Sequence, residues 1–214
     1  MPLPGTRVPP LLSNIAGCAP APLLLRALAL LLDGVLVSIL AAMILSRVVW
    51  PLEIPDAAQV FQRQATLIYD AAKQAQASGQ SFPEPKIDPD YLNALAITVQ
   101  TIFLVLLAYF AISELVMGGS TLGKRVFHLR TAQFGSGGPA RPLEILVRSI
   151  TKTISLAAWI PLYVFGLPLL LLNLAPLFFN PLRRAGHDLM ARTIVTADPL
   201  PPTVEAPDFA DDAD

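Results

Sequence analysis

The stretch LLLRALALLLDGVLVSILAAMILSRVVW, residues 23–50, decides how the rest of the chain is read. At about 1.5 Å per residue it is long enough for a helix to cross the roughly 30 Å hydrocarbon layer of a bilayer. It carries Arg26 near its start, Asp33 well inside it, and Arg47 beside Trp50 at its far end. Arg47 and Trp50 suit an interfacial anchor. A carboxylate inside a spanning helix costs roughly 3 kcal/mol or more, so Asp33 is expected to have a polar partner. Arg26 has the alternative of reaching lipid phosphate along its aliphatic stem. The two residues are seven apart and share one helix face, about 10 Å apart along the axis, with the Asp33 side chain leaning toward Arg26. Direct contact at that separation is marginal, so a third group or water is expected to complete the site.

Composition agrees with a membrane protein. The chain has 214 residues, 54% hydrophobic and 14% charged, with mean hydropathy +0.57. That profile excludes an ordinary soluble globule, and a net charge of -1 gives no nucleic-acid footprint. Cys18 is the lone cysteine, which excludes an internal disulfide framework or a cysteine-based zinc cluster. Ile15-Ala16-Gly17-Cys18 imitates a lipoprotein box, but no apolar signal core precedes it.

Two further apolar segments follow, about Leu92 to Val116 and Ile154 to Phe179. Residues 51–91 carry Glu53, Asp56, Asp70, Glu84, Asp88 and Asp90 against Arg63, Lys73 and Lys86. Residues 117–153 instead carry Lys124, Arg125, Arg130, Arg141, Arg148 and Lys152 with Glu144 as the one acid. The positive-inside rule therefore puts the N-terminus and residues 117–153 in the cytoplasm and residues 51–91 outside. One crossing by the third segment would export Arg183, Arg184 and Arg192 against that rule. Pro161, Gly166, Pro168 and Pro176 interrupt it, so a return to the cytoplasm is favoured, with a single kinked crossing as the alternative. The outgoing leg is expected to begin in residues 143–159, where Glu144, Arg148 and Lys152 form a stripe every four residues. The returning leg follows Pro161 or Gly166.

The outer connection predicts a helix over residues 56–78, with Val60, Phe61, Leu67, Ile68, Ala71 and Ala75 on a loose apolar face and a stop at Gly79. It reads as a helix packed on the outer surface, with a gating lid as the alternative. Residues 82–89 read as an extended Pro-rich linker. The organisation is an N-terminal cytoplasmic segment 1–22, expected to be flexible, a membrane domain 23–195 and an acidic, Pro-rich tail 196–214 expected to be disordered. The fold class is all-α: a small polytopic bundle of two spanning helices and a Pro/Gly-interrupted hairpin or re-entrant pair.

Gly118-Gly119-Ser120-Thr121-Leu122-Gly123-Lys124-Arg125 matches G-x-x-x-x-G-K, but puts Arg125 where a phosphate loop needs Ser or Thr and follows a helix instead of a strand. Its glycines read as the end of helix two, and the basic pair as meeting anionic headgroups or holding topology. Val126, Leu129 and Thr131, followed by Gly135 to Gly138, suggest a small hairpin. Glu114 ends helix two at the level of Arg26, either joining the charges or solvated by headgroups. His187-Asp188 is too small a set for a metal site. With no nucleophile, metal or cofactor motif, the chain reads as a non-enzyme without cofactors.

Arg26 with Asp33, then Thr121-Leu122-Gly123-Lys124-Arg125, then Arg184-Ala185-Gly186-His187-Asp188-Leu189 leading to Thr193-Ile194-Val195, resemble the RDD family of bacterial membrane proteins over about residues 23–195. The arginine and two aspartates that name the family correspond to Arg26, Asp33 and Asp188. Leu122 stands where the family's Thr-Pro-Gly-Lys has proline, which relaxes the turn and leaves Gly123 and Lys124 in place. The resemblance implies an inner (plasma) membrane location, with transport suggested and cation/proton exchange proposed for some members. Two functions follow as expectations. In the first, Asp33 binds a proton or small cation, Arg26 tunes it and Asp188 stands at the cytoplasmic mouth, with Glu114 and His187 as auxiliaries. In the second, Arg26, Asp33 and Asp188 form a structural network in a non-transporting scaffold or accessory subunit. Either would sit among membrane lipids as a homo-oligomer or beside a partner membrane protein.

Overall fold

The computed structural model describes residues 19–79, 81, 86–157 and 163–197, with the backbone alone over 163–166. The cysteine box at residues 15–18, the first half of the 82–89 linker, Pro161 and nearly all of the acidic tail lie outside these residues. Helix α1 runs Leu23–Glu53 and α3 runs Pro89–Val116, and both are long and apolar enough to cross a membrane. Between them lies α2, Ala57–Ser78. After α3 come α4 (Leu122–Val126), β1 (Leu129–Gln133), α5 (Pro142–Ala157), α6 (Tyr163–Leu174), α7 (Pro176–Phe179), α8 (Gly186–Met190) and β2 (Thr193–Ala197). The protein is mostly helical.

Helix α1 continues past Trp50, where the sequence reading ended it. It widens into a π turn over Leu45–Val49 before Pro51. Proline leaves an upstream carbonyl without its donor, and local widening is a common accommodation. Its buried positions Ala29, Asp33, Val37, Ala41 and Leu45 recur every four residues, while Leu24, Leu31, Val35 and Ile39 face outward. The helix is apolar all round, so Asp33 is the residue that marks its inner face. Helix α3 starts earlier than Leu92, because Asp88 caps it, accepting from the Asp90 N–H at 3.0 Å, and Pro89 occupies the first turn.

Helix α2 ends on Gly79, whose φ of 64° is the left-handed stop that glycine favours. Its packing differs from the pattern expected. Ala57, Val60, Gln64 and Ala75 are buried, and Leu67 and Ile68 are exposed. Gln64 ties α2 to the start of α3, accepting from the Asp88 N–H at 2.9 Å and donating to the Lys86 carbonyl at 3.2 Å.

The third apolar segment is divided among α5, α6 and α7. Helix α5 packs along α3, α6 packs back on α5, and α8 rests on both. Asp188 thus stands at the same end of the bundle as Arg26. The local hairpin expected at Gly135–Gly138 is reduced to one bridge, Ala132 to Pro139. Strand β1 pairs instead with β2, antiparallel, from Leu129 opposite Ala197 to Gln133 opposite Thr193. The segment before α1 joins this small sheet, with the Ala21 N–H donating to the Val195 carbonyl at 2.9 Å. Ala21, Ala29, Leu129 and Val195 form the apolar cluster beneath it, and Val37, Leu106, Phe110 and Ala157 form a second cluster along the helices.

Candidate functional site

The carboxylates of Asp33 and Asp188 have separate surroundings. Asp33 is 1% exposed, and its neighbours come from α3 and α4. The Tyr109 hydroxyl donates to Oδ1 at 2.6 Å, the Gly123 N–H donates to Oδ1 at 2.8 Å, and the Thr121 hydroxyl donates to Oδ2 at 2.5 Å. The partner expected for Asp33 is therefore this set of three donors, and Arg26 is not among them.

The cradle follows from the turn after α3. Gly118 and Gly119 take φ of 63° and 91°, ending the helix and turning the chain back. The Thr131 N–H donates to the Gly119 carbonyl at 2.8 Å and the Ser120 hydroxyl to the Leu129 carbonyl at 2.9 Å, which fixes the loop against β1. Thr121 then caps α4, accepting from the Lys124 N–H at 3.3 Å while its hydroxyl proton goes to Asp33. Gly123 brings α4 directly onto α1, where a side chain would meet the Ala29 carbonyl and the Asp33 carboxylate. Lys124 turns inward and away from headgroups, against the first of the two expectations for the basic pair. Its ammonium donates to Glu114 Oε1 at 2.5 Å and to Thr131 Oγ1 at 2.7 Å. Arg125 is exposed.

Asp188 is the hub of the second group. It is fully buried, which corrects the expectation that it stands at an open mouth. Arg26 Nη2 donates to Oδ2 at 2.7 Å, Arg148 Nε to Oδ1 at 2.8 Å, and the Ala185 N–H to Oδ2 at 3.2 Å. Arg26 also donates to the Arg183 carbonyl. Arg148 donates onward to Glu114 Oε1 and to Thr131 Oγ1, the latter at 2.8 Å. A continuous chain results, part-buried at Arg26 and buried beyond it: Arg26, Asp188, Arg148, Glu114, Lys124. Glu114 belongs to it and is not a solvated helix end.

Arg184 frames the same corner, donating to the Thr193 and Asp188 carbonyls at 2.9 Å each and lying over the Phe134 ring. Thr193 itself is buried. His187 is held by Asn173 Oδ1, which accepts its N–H at 2.8 Å and lies 3.1 Å from ring Nδ1.

The charge states follow from burial and neighbours. Burial alone would raise the Asp188 carboxyl, but the adjoining positive charges, Arg148 foremost, outweigh it and hold the group well below the usual carboxylate range. Burial drives the His187 imidazole down to about 3, against the pull of Asp188 and with the push of Arg148. His187 is therefore neutral near pH 7, and Asp188 is balanced by the two arginines. Burial also lowers the Lys124 ammonium, Arg148 adds to that, and Glu114 opposes both, leaving it at about 8.

Arg148, Lys152, Tyr109 and Thr131 belong to this site without having been marked as site residues in the sequence. The stripe Glu144, Arg148, Lys152 was visible, but such a stripe ordinarily faces water. Here Arg148 and Lys152 are 2% and 6% exposed, turned onto α3. Tyr109 offered a weaker signal, as a hydroxyl in an otherwise apolar helix. Tyr109→Phe removes one of the three Asp33 donors and is expected to lower stability by about 1–2 kcal/mol, read as a lower unfolding temperature in detergent with the protein still in the membrane fraction.

A cavity of about 550 Å³ opens beside both groups. Arg26, Asp33, Lys124, Arg148, Lys152 and His187 line its polar side, and Leu24, Leu30, Leu174, Leu177 and Phe178 its apolar side. In comparisons with known proteins, the RDD family profile matches residues 20–192. Neither the curated proteins nor the solved structures contain a match.

Proposed function

Because the chain belongs to the RDD family, we propose that it is a multi-pass protein of a bacterial inner membrane whose buried charges act as a structural clasp. In this reading α1 and α3 span the bilayer. The N-terminus, residues 117–153 and the returning C-terminus lie on the cytoplasmic side, as the charge distribution requires. The clasp fastens the α5–α8 unit to the two spanning helices and leaves the protein as a scaffold or accessory subunit for a membrane partner or for further copies of itself.

One observation carries the reading: each carboxylate oxygen of Asp33 and Asp188 already accepts from a protein donor, at 2.5–3.2 Å. A carboxylate so engaged favours its ionised form and offers little room to a transported cation. Arg26, Lys124, Arg148 and Lys152 also outnumber Asp33, Glu114 and Asp188, which disfavours a cation path.

A second reading, proton or cation exchange, is favoured by the position of Asp33 on the cavity wall and by Glu114 Oε2, which is buried without a hydrogen-bond partner. Asp33→Asn separates the two. Asparagine keeps Oδ1 for Tyr109 and Gly123 and removes the charge. The clasp reading expects a protein that stays in the membrane with a lowered unfolding temperature and with any proton or cation flux in proteoliposomes unchanged. Normal abundance and stability together with abolished flux would establish exchange in its place.

A further inference from the structure

Lys152 is the cation of the site that the clasp leaves over. It is 6% exposed, and its Nζ lies 3.5 Å from the centre of the Phe110 ring. Among the described residues it has no salt-bridge or hydrogen-bond partner; the carboxylates that act on it from a distance, Glu114 and Asp33, are held by Lys124 and Arg148 and by Tyr109, Thr121 and Gly123. A buried ammonium with no carboxylate in contact is costly: burial, with Lys124 and Arg148, pushes Lys152 down toward its neutral form, against the pull of Glu114 and Asp33, and a ring face compensates only in part. The same residue lines the cavity, so the missing anion has a place to come from.

The apolar part of the lining gives the anion its chemistry. Leu30, Leu174 and Leu177 line the cavity, as do Leu24 and Phe178, which are 66% and 76% exposed. Apolar side chains that both line a cavity and are exposed suit entry from hydrocarbon. A free inorganic anion would gain nothing from such a wall, whereas an acyl chain would. At about 550 Å³ the space lies in the range of ordinary ligand pockets.

We propose that this cavity is a site for an anionic phospholipid, with its phosphate on Lys152 and part of one acyl chain against Leu30, Leu174 and Leu177. Arg26 and Arg148 add positive potential to the headgroup end while keeping their bonds to Asp188. The proposal rests on the membrane location given above and not on the clasp.

The test uses the full chain purified in mild detergent and titrated with phosphatidylglycerol, phosphatidylcholine or inorganic phosphate, reading bound lipid by native mass spectrometry and the unfolding temperature. The expected result is one tightly held phosphatidylglycerol, preferred over phosphatidylcholine about tenfold, a raised unfolding temperature with that lipid, and no response to inorganic phosphate. Lys152→Met should erase the preference and Lys152→Arg should retain it. Leu177→Trp narrows the apolar side without touching a charge, and should weaken both lipids. It serves also if Lys152→Met does not fold.

Equal retention of the two phospholipids by the wild-type protein overturns the proposal. So does an inorganic phosphate response as large as that of the lipid, which would make this a simple anion site. Recovery of the chain in the soluble fraction after an alkaline wash would instead remove the membrane reading itself, so the two failures are distinguishable.

Discussion

Asp188→Ala is expected to remove most of the protein from the membrane fraction and to lower the unfolding temperature of what remains by more than any other single change in the clasp. The carboxylate is fully buried and shared by Arg26 at 2.7 Å and Arg148 at 2.8 Å. Without it, two guanidinium groups face each other in a site they were drawn into by that charge. Breaking a buried pair from one side costs about 3–5 kcal/mol, because the partner is left uncompensated. Against a total stability of about 5–15 kcal/mol, such a loss decides whether the chain accumulates. Acid should act in the same direction. Since the folded carboxyl titrates well below the usual range, its contribution is complete above about pH 4 and fades as pH falls toward the folded value. A double-mutant cycle supplies the check. Arg26→Leu should cost much less in the Asp188→Ala background than alone, because its charge has then already lost its partner. Additive losses, or wild-type abundance for Asp188→Ala, would show that the network does not hold the fold.

The outline of the bundle was legible because length and hydropathy report directly on spanning helices, and because Gly79 is a local stop. Its edges were less so. Asp88-Pro89 reads equally as the end of a linker or as a cap with proline in the first helical turn, and the structure has the second. The sheet was misread for a different reason. Leu129 finds its partner at Ala197, far beyond any local turn, so a nearby glycine run drew the pairing inward. Within the site, Arg26 and Asp188 could be placed together from charge distribution and family pattern. Asp33 could not be placed, because its partners are a hydroxyl on another helix, a threonine cap and a backbone N–H. A backbone donor leaves no mark in a sequence beyond the glycine that lets it come close.

That glycine carries the other large prediction. Gly123→Ala is expected to abolish the folded protein or to lower its unfolding temperature steeply, while Gly34→Ala, beside Asp33 on the same helix, is expected to be neutral or slightly stabilising. A Cβ on Gly123 would overlap the Ala29 carbonyl oxygen and stand 2.9 Å from both Cγ and Oδ1 of Asp33. The obstacle is mostly the backbone of α1, which does not rotate away. Relief therefore requires α4 to retreat, and α4 holds two of the Asp33 donors, the Gly123 N–H at 2.8 Å and the Thr121 hydroxyl at 2.5 Å. Overpacking costs about 1–3 kcal/mol. A buried carboxylate losing donors adds about 1–3 kcal/mol or more. Retreat of α4 also draws Lys124 from Glu114, so the damage passes from the Asp33 cradle into the clasp. At Gly34 an added Cβ meets nothing within 4 Å, and alanine in a helix is favoured over glycine by about 1 kcal/mol. The pair isolates close approach from helix propensity, since the same atom is added one residue from Asp33 in one case and against it in the other. Unfolding of Gly123→Ala at the wild-type temperature would mean that α4 and α1 do not meet as described, and the Asp33 cradle would have to be abandoned.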